Sequence, residues 1–289
     1  MSNGPANVAT SAAIPSQRIA TIDWMRGLVM VLMVIDHASM AFDANHLSED
    51  SAMYEGAMTM ALPAAEFLTR WITHLCAPTF VFLAGTSLAL SIERRVVRGV
   101  DAWEIDKSIL KRGAIIALLD PTIVSLGSGR WTLQVLLAIG LSMVCMAGLR
   151  RLPSAMLLVL ALGWMVFGEI PTGWVWHPPG PSSPIAALTL ATFGSETMVI
   201  KYPLLPWLAV MILGWVFGRH LIRYSMGLSR VPGRTVLWIA GVASLGIFVF
   251  VRWQAGYGDM FLHRADGSWQ QWLHVSKYPP SLTFYALTL

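Results

Sequence analysis

The chain has 289 residues, of which 55% are hydrophobic and only 12% charged, with a net charge of +4 and a mean hydropathy of +0.60. A soluble domain carries about 25% charged residues, so this composition excludes a water-exposed globular enzyme and indicates an integral membrane protein whose first partner is the lipid bilayer. In such a chain the cations report topology, and nucleic acid is not an expected partner.

Residues 1–17 are small and polar, lack the charged start and apolar block of a cleavable signal, and read as a disordered tail. Residues 18–289 read as one transmembrane domain. Apolar segments at or near spanning length fall at 24–42, 72–92, 111–127, 131–149, 153–168, 203–219 and 234–252, and another opens near 279. The expectation is an all-α polytopic bundle of about eight or more spans. The chain stops at Leu289, inside that last apolar run, which reads as a truncation.

With a cytoplasmic amino terminus, fourteen of the twenty cations fall inside, including Arg94, Arg95, Arg98, Lys107, Lys111 and Arg112. That bias favours this orientation. The outer segments 43–71, 169–202 and 253–278 are long. The second holds Trp174, Trp176, His177 and a Pro-Pro-Gly-Pro run that regular helix cannot accommodate. It reads either as an aromatic anchor at the lipid boundary or as a lid over an outward-facing pocket. Cys76 and Cys145 sit in apolar runs and read as small core residues.

Within the first span, Arg26 and His37 are separated by apolar residues, glycine and Asp36. Eleven helical steps rise about 16–17 Å and close nearly three turns, so the two side chains share a face at different depths. The second span opens with Thr73-His74-Leu75-Cys76-Ala77-Pro78. If the two helices are neighbours, His37 and His74 reach one depth and share a site with Asp36. A histidine beside a carboxylate is suited to general-base work near neutral pH. Packing between helices is the competing role for both histidines. Asp36 points about 100° away from His37 and need not be its partner. Asp23 and Arg26 are spaced to pair, and Asp120, deep in the third apolar segment, needs a partner for which Arg26 is a candidate. No metal-ligand cluster, phosphate-binding loop or nucleophile elbow is present, so no metal is expected. Two classes remain open, an enzyme and a proton-coupled secondary transporter, with a structural or assembly role third.

The blocks Ile22-Asp23-Trp24-Met25-Arg26-Gly27 through Asp36-His37 and Arg70-Trp71-Ile72-Thr73-His74-Leu75-Cys76-Ala77-Pro78 through Gly85 resemble the bacterial relatives of heparan-alpha-glucosaminide N-acetyltransferase. Weaker matches follow at Lys201-Tyr202-Pro203 and Lys277-Tyr278-Pro279-Pro280. The resemblance implies a membrane acyltransferase that takes an acetyl group from cytoplasmic acetyl-CoA, its co-substrate, to a sugar hydroxyl or amine of a glycan on the far side. It implies His37 as the leading catalytic residue, followed by His74 and then His46, with His74 or Asp36 orienting the base. Arg26, Arg94, Arg95 and Lys107 are the candidates for the CoA phosphates on charge grounds. A homo-oligomer is compatible with all of this.

Overall fold

The computed structural model describes residues 20–42, 50–59 and 61–289. Arg18, His46 and the 1–17 tail lie outside the described residues. The chain is almost entirely helical: α1 (Ala20–Phe42), α2 (Ala64–Thr73), α3 (Cys76–Val97), α4 (Ala102–Leu119), α5 (Ser125–Ser128), α6 (Val135–Leu149), α7 (Ser154–Phe167), α8 (Glu169–Val175), α9 (Pro184–Thr189), α10 (Leu204–Ser225), α11 (Gly233–Gln254), α12 (Trp269–Leu273) and α13 (Leu282–Thr288). A π-helical turn, Asp120–Val124, joins α4 to α5. Three short strands, β1 (Trp131–Leu133), β2 (Phe193–Gly194) and β3 (Met198–Ile200), form a sheet in the order β1-β3-β2, with β1 and β3 parallel.

The expected eight or more spans are corrected downward. Among the described residues four helices are long and apolar enough to cross a membrane: α1, the α2–α3 unit Ala64–Val97, α10 and α11. Counting the pair α7–α8, bent by 54°, as one span gives up to five. The lost spans have physical causes. Helix α4 carries Glu104, Asp106, Lys107, Lys111 and Arg112, and its apolar end breaks into the π turn at Asp120-Pro121. Helix α6 has only 15 residues and α13 only 7.

Backbone contact holds the centre of the bundle together. A β-carbon added at Gly85 of α3 would sit 2.1 Å from the Met211 carbonyl oxygen, and one at Gly214 of α10 would sit 2.0 Å from that of Phe82. Small residues allow this approach in a bilayer, where helices associate by close packing rather than by leaving water. Thr86 Oγ1 donates across the same contact to the Gly214 carbonyl at 3.0 Å. Val81, Met211, Trp207, Trp215 and Phe284 fill the core around it.

At the basic end, ion pairs tie the helices. Arg219 Nε donates to Glu93 at 2.8 Å, Arg150 Nε donates to Asp106 at 2.7 Å, and Arg151 also reaches Asp106. Asp120 is not paired with Arg26. Its Oδ2 accepts from the backbone N–H groups of Gln134 at 2.7 Å and Leu137 at 2.8 Å, which satisfies donors at the start of α6 that the helix cannot satisfy itself.

At the opposite end, called outer in the orientation the cations favour, buried Arg252 pairs with Asp259 at 2.8 Å. It also donates to the carbonyls of Leu262 at 3.0 Å and Gln271 at 2.6 Å. This guanidinium gathers the 255–281 segment over the bundle. Trp174 is exposed, whereas Trp176 is buried and donates from Nε1 to the Gly180 carbonyl at 2.8 Å. The Pro-rich segment therefore packs as part of the outer layer, and Trp176, His177, Tyr54 and Phe261 line a cavity there of about 310 Å³.

Candidate functional site

The outer end of α2 delivers Arg70, Thr73 and His74 to one buried spot because they lie three and four residues apart on one helical face. Residues 50–59 fold against it, held by backbone N–H groups of Lys277 and Tyr278 that donate to the Asp50 carbonyl at 3.0 and 3.3 Å. The Asp50 side chain meets three nitrogens on a single oxygen. Arg70 Nε lies 2.8 Å, Arg70 Nη2 2.6 Å and His74 Nε2 3.1 Å from Asp50 Oδ2. Burial pushes the Asp50 carboxyl up, but the Arg70 guanidinium and the adjacent His74 ring outweigh it and hold it well below the usual carboxylate range. The third edge of Arg70 reaches α1, with Nη1 donating to Asp36 Oδ1 at 2.9 Å. Thr73 Oγ1 donates to the same oxygen at 2.6 Å.

Of the candidates read from the sequence, the structure thus brings Asp36 and His74 together through Arg70. It does not bring His37. That residue is exposed, and its Nδ1 lies 2.7 Å from the Met33 carbonyl oxygen of its own helix. The expected shared site of His37 and His74 is corrected, and the reason is rotational phase. Val29 is the buried residue of α1; Asp36 falls about 20° round the helix from it and His37 about 80°, beyond the packed edge.

Arg26 pairs with Asp23 at 3.5 Å, as its spacing foretold, and also reaches Ser87 of α3. Arg94 and Arg95 are half-buried and Lys107 is exposed, all at the basic end and away from the histidines. Cys76, two residues after His74, is buried, Cys145 is half-buried, and both are free thiols. Among the described residues no three His, Cys, Asp or Glu side chains converge to hold a metal ion.

Four residues of this site were not read as functional from sequence: Asp50, Arg70, Tyr202 and Tyr278. A signal for the tyrosines existed. The tripeptide Lys-Tyr-Pro occurs at 201–203 and again at 277–279, and the fold sets the two face to face, with hydroxyl groups 3.2 Å apart. Burial pushes the Tyr278 phenol up, but Lys277, Arg70, Lys201 and the Tyr202 hydrogen bond outweigh it and bring it down to about 8. Tyr202 moves the other way, well above the ordinary range through burial and the neighbouring Tyr278.

The family model described as heparan-alpha-glucosaminide N-acetyltransferase, catalytic, matches residues 18–253. The chain belongs to this family. The match embraces α1 to α11, with Asp36, Asp50, Arg70 and His74, and stops short of Lys277 and Tyr278. Together with the multi-pass helical architecture it makes the protein a membrane acyltransferase in general terms. No curated protein and no solved structure matches the chain.

Proposed function

We propose that this acyltransferase moves an acetyl group from cytoplasmic acetyl-CoA to a sugar hydroxyl or amine on the far side of a bacterial inner membrane, with His74 as general base and Asp50 as its orienting carboxylate. One observation carries the reading. His74 is 2% exposed, its Nε2 lies 3.1 Å from Asp50 Oδ2 as an ion-pair contact, and neither ring nitrogen is taken up by a hydrogen bond of good geometry among the described residues. A carboxylate on one ring nitrogen fixes the tautomer and supports the charge the ring acquires on taking a proton through the other. Such positioned proton transfer contributes about 10²–10⁴-fold in rate.

In this reading Asp36 does not touch the reacting atoms. It holds Arg70, and through it Asp50, against α1. Arg95 and Lys107 supply positive charge for the CoA phosphates at the cytoplasmic mouth, joined by Arg94. Arg26, engaged with Asp23 and Ser87, serves the α1–α3 contact first. His37 competes for the role of base on the strength of its place in the sequence motif, and separate variants decide between the two histidines.

The test is transfer of label from acetyl-CoA to a mixture of amino sugars and neutral sugars by the purified protein in proteoliposomes. Labelled glycan in the wild type supports the enzyme. Accumulation of solute without any acetylated product supports the proton-coupled carrier instead.

A further inference from the structure

Beside the His74–Asp50 pair sits a lysine whose charge reaches Asp36 but which makes no ion pair of its own among the described residues. Lys277 is 2% exposed, and it is fixed by its backbone, whose N–H donates to the Asp50 carbonyl and which bridges to Pro280. Its side chain lies over the Tyr278 ring, Nζ 5.3 Å from the centroid. Lys201, from the other Lys-Tyr-Pro tripeptide, approaches the same ring at 5.1 Å. Neither lysine forms an ion pair among the described residues. The two carboxylates of the site are already engaged: Asp50 by Arg70 and His74, Asp36 by Arg70 and Thr73. Arg70 is engaged in turn, with each of Nε, Nη1 and Nη2 on a carboxylate oxygen.

The outer cluster therefore sets three basic side chains, Arg70, Lys277 and Lys201, against two carboxylates, and the two lysines are the ones outside its ion pairs. A cation buried without a partner is costly to a fold, and an ammonium is a compact point charge suited to phosphate or carboxylate oxygens. The depressed Tyr278 phenol reports the positive field at this spot independently of any ligand. The two lysines also differ in depth. Lys201 is half-exposed and gives access from the outer surface, while Lys277 lies next to the base.

We infer that Lys201, Lys277 and the Tyr278 hydroxyl form an anion subsite that recognises a carboxylate or phosphate group borne by the acceptor, so that the acceptor is an acidic sugar rather than a neutral one. This deepens the reading of the preceding subsection and rests on it for the word acceptor. The subsite fixes the anionic group of the sugar and leaves the hydroxyl or amine to be acetylated facing His74. Lys277 and Tyr278 lie beyond the segment that the family model matches.

Calorimetric binding to the purified full chain in lipid nanodiscs at pH 7 tests this without requiring turnover. The probes are glucuronate, glucose 6-phosphate, glucose and inorganic phosphate. At least one acidic sugar binds about tenfold or more tightly than glucose, the scale of one charge-assisted contact. Lys277→Met and Lys201→Met each erode that preference, whereas Lys277→Arg and Lys201→Arg retain it. Equal binding of glucose, or a preference that survives both methionine variants, overturns the subsite. Inorganic phosphate binding as tightly as both acidic sugars overturns the assignment to an acceptor. A wild type that shows the preference but transfers no acetyl group leaves the subsite standing and removes the acyltransfer reading instead.

Discussion

Asp50 Oδ2 stands 3.1 Å from His74 Nε2, joining a loop residue to a helix residue at a point where both side chains are almost fully buried. The carboxyl is held well below the ordinary range by Arg70 and His74 against the effect of burial. A folded-state value below the unfolded one adds stability at neutral pH that is fully present above about pH 4 and lost as the pH falls further. Thermal unfolding in detergent is therefore expected to show a drop in Tm below about pH 4, and Asp50→Asn, already weakened at pH 7, is expected to show a smaller one.

Arg70 ties α1, through Asp36, to the 50–59 loop, through Asp50. Removing the guanidinium strands two carboxylates, a loss of about 3–5 kcal/mol for a buried pair. Arg70→Met is expected to lower stability by that amount, and Arg70→Lys to restore only part of it because an ammonium cannot reach three oxygen contacts in one plane. Denaturant unfolding of the purified variants measures both.

Tyr278 is expected to titrate near pH 8. Because its folded value lies below the usual one for a phenol, stability from this group grows as pH rises from about 8 to 10 and is absent below. The ultraviolet difference absorbance of phenolate should show one step near pH 8 among the six tyrosines, and Tyr278→Phe should abolish it. Lys277→Met should move the step upward.

Gly85 and Gly214 have no room for a side chain, since an added β-carbon meets carbonyl oxygens at 2.1 and 2.0 Å. Gly85→Ala and Gly214→Ala are each expected to cost about 1–3 kcal/mol through forced separation of α3 and α10. Gly27 meets nothing within 4 Å, so Gly27→Ala is the control that leaves the Tm unchanged or slightly raised.

Much of the fold was legible in hydrophobic run length. The expected spans 24–42, 72–92, 203–219 and 234–252 fall, to within one residue, on the four long apolar helices. The segment 111–127 misled because its apolar residues continue past Asp120-Pro121, while the π turn there goes with what Asp120 bonds, a tertiary fact. The site was half legible. Asp36 and His74 stood out as ionisable residues in apolar surroundings, but Asp50 lay in an acidic loop where it resembled any solvated carboxylate. Its importance comes from contacts 20 and 24 residues away. His37 looked as favourable as His74 because spacing along α1 is visible in a sequence and the rotation of α1 against α3 is not. The repeated Lys-Tyr-Pro tripeptides were visible but carried no hint that they would meet.

Proteoliposomes with labelled acetyl-CoA confined to the side of the basic helix ends, and an acidic amino sugar on the other, give the most direct test of the account. The wild type is predicted to place label on the sugar, His74→Ala to slow it by about 10²–10⁴-fold with the fold intact, and Asp50→Asn to slow it less. Full transfer by His74→Ala together with its loss in His37→Ala would contradict the assignment of the base.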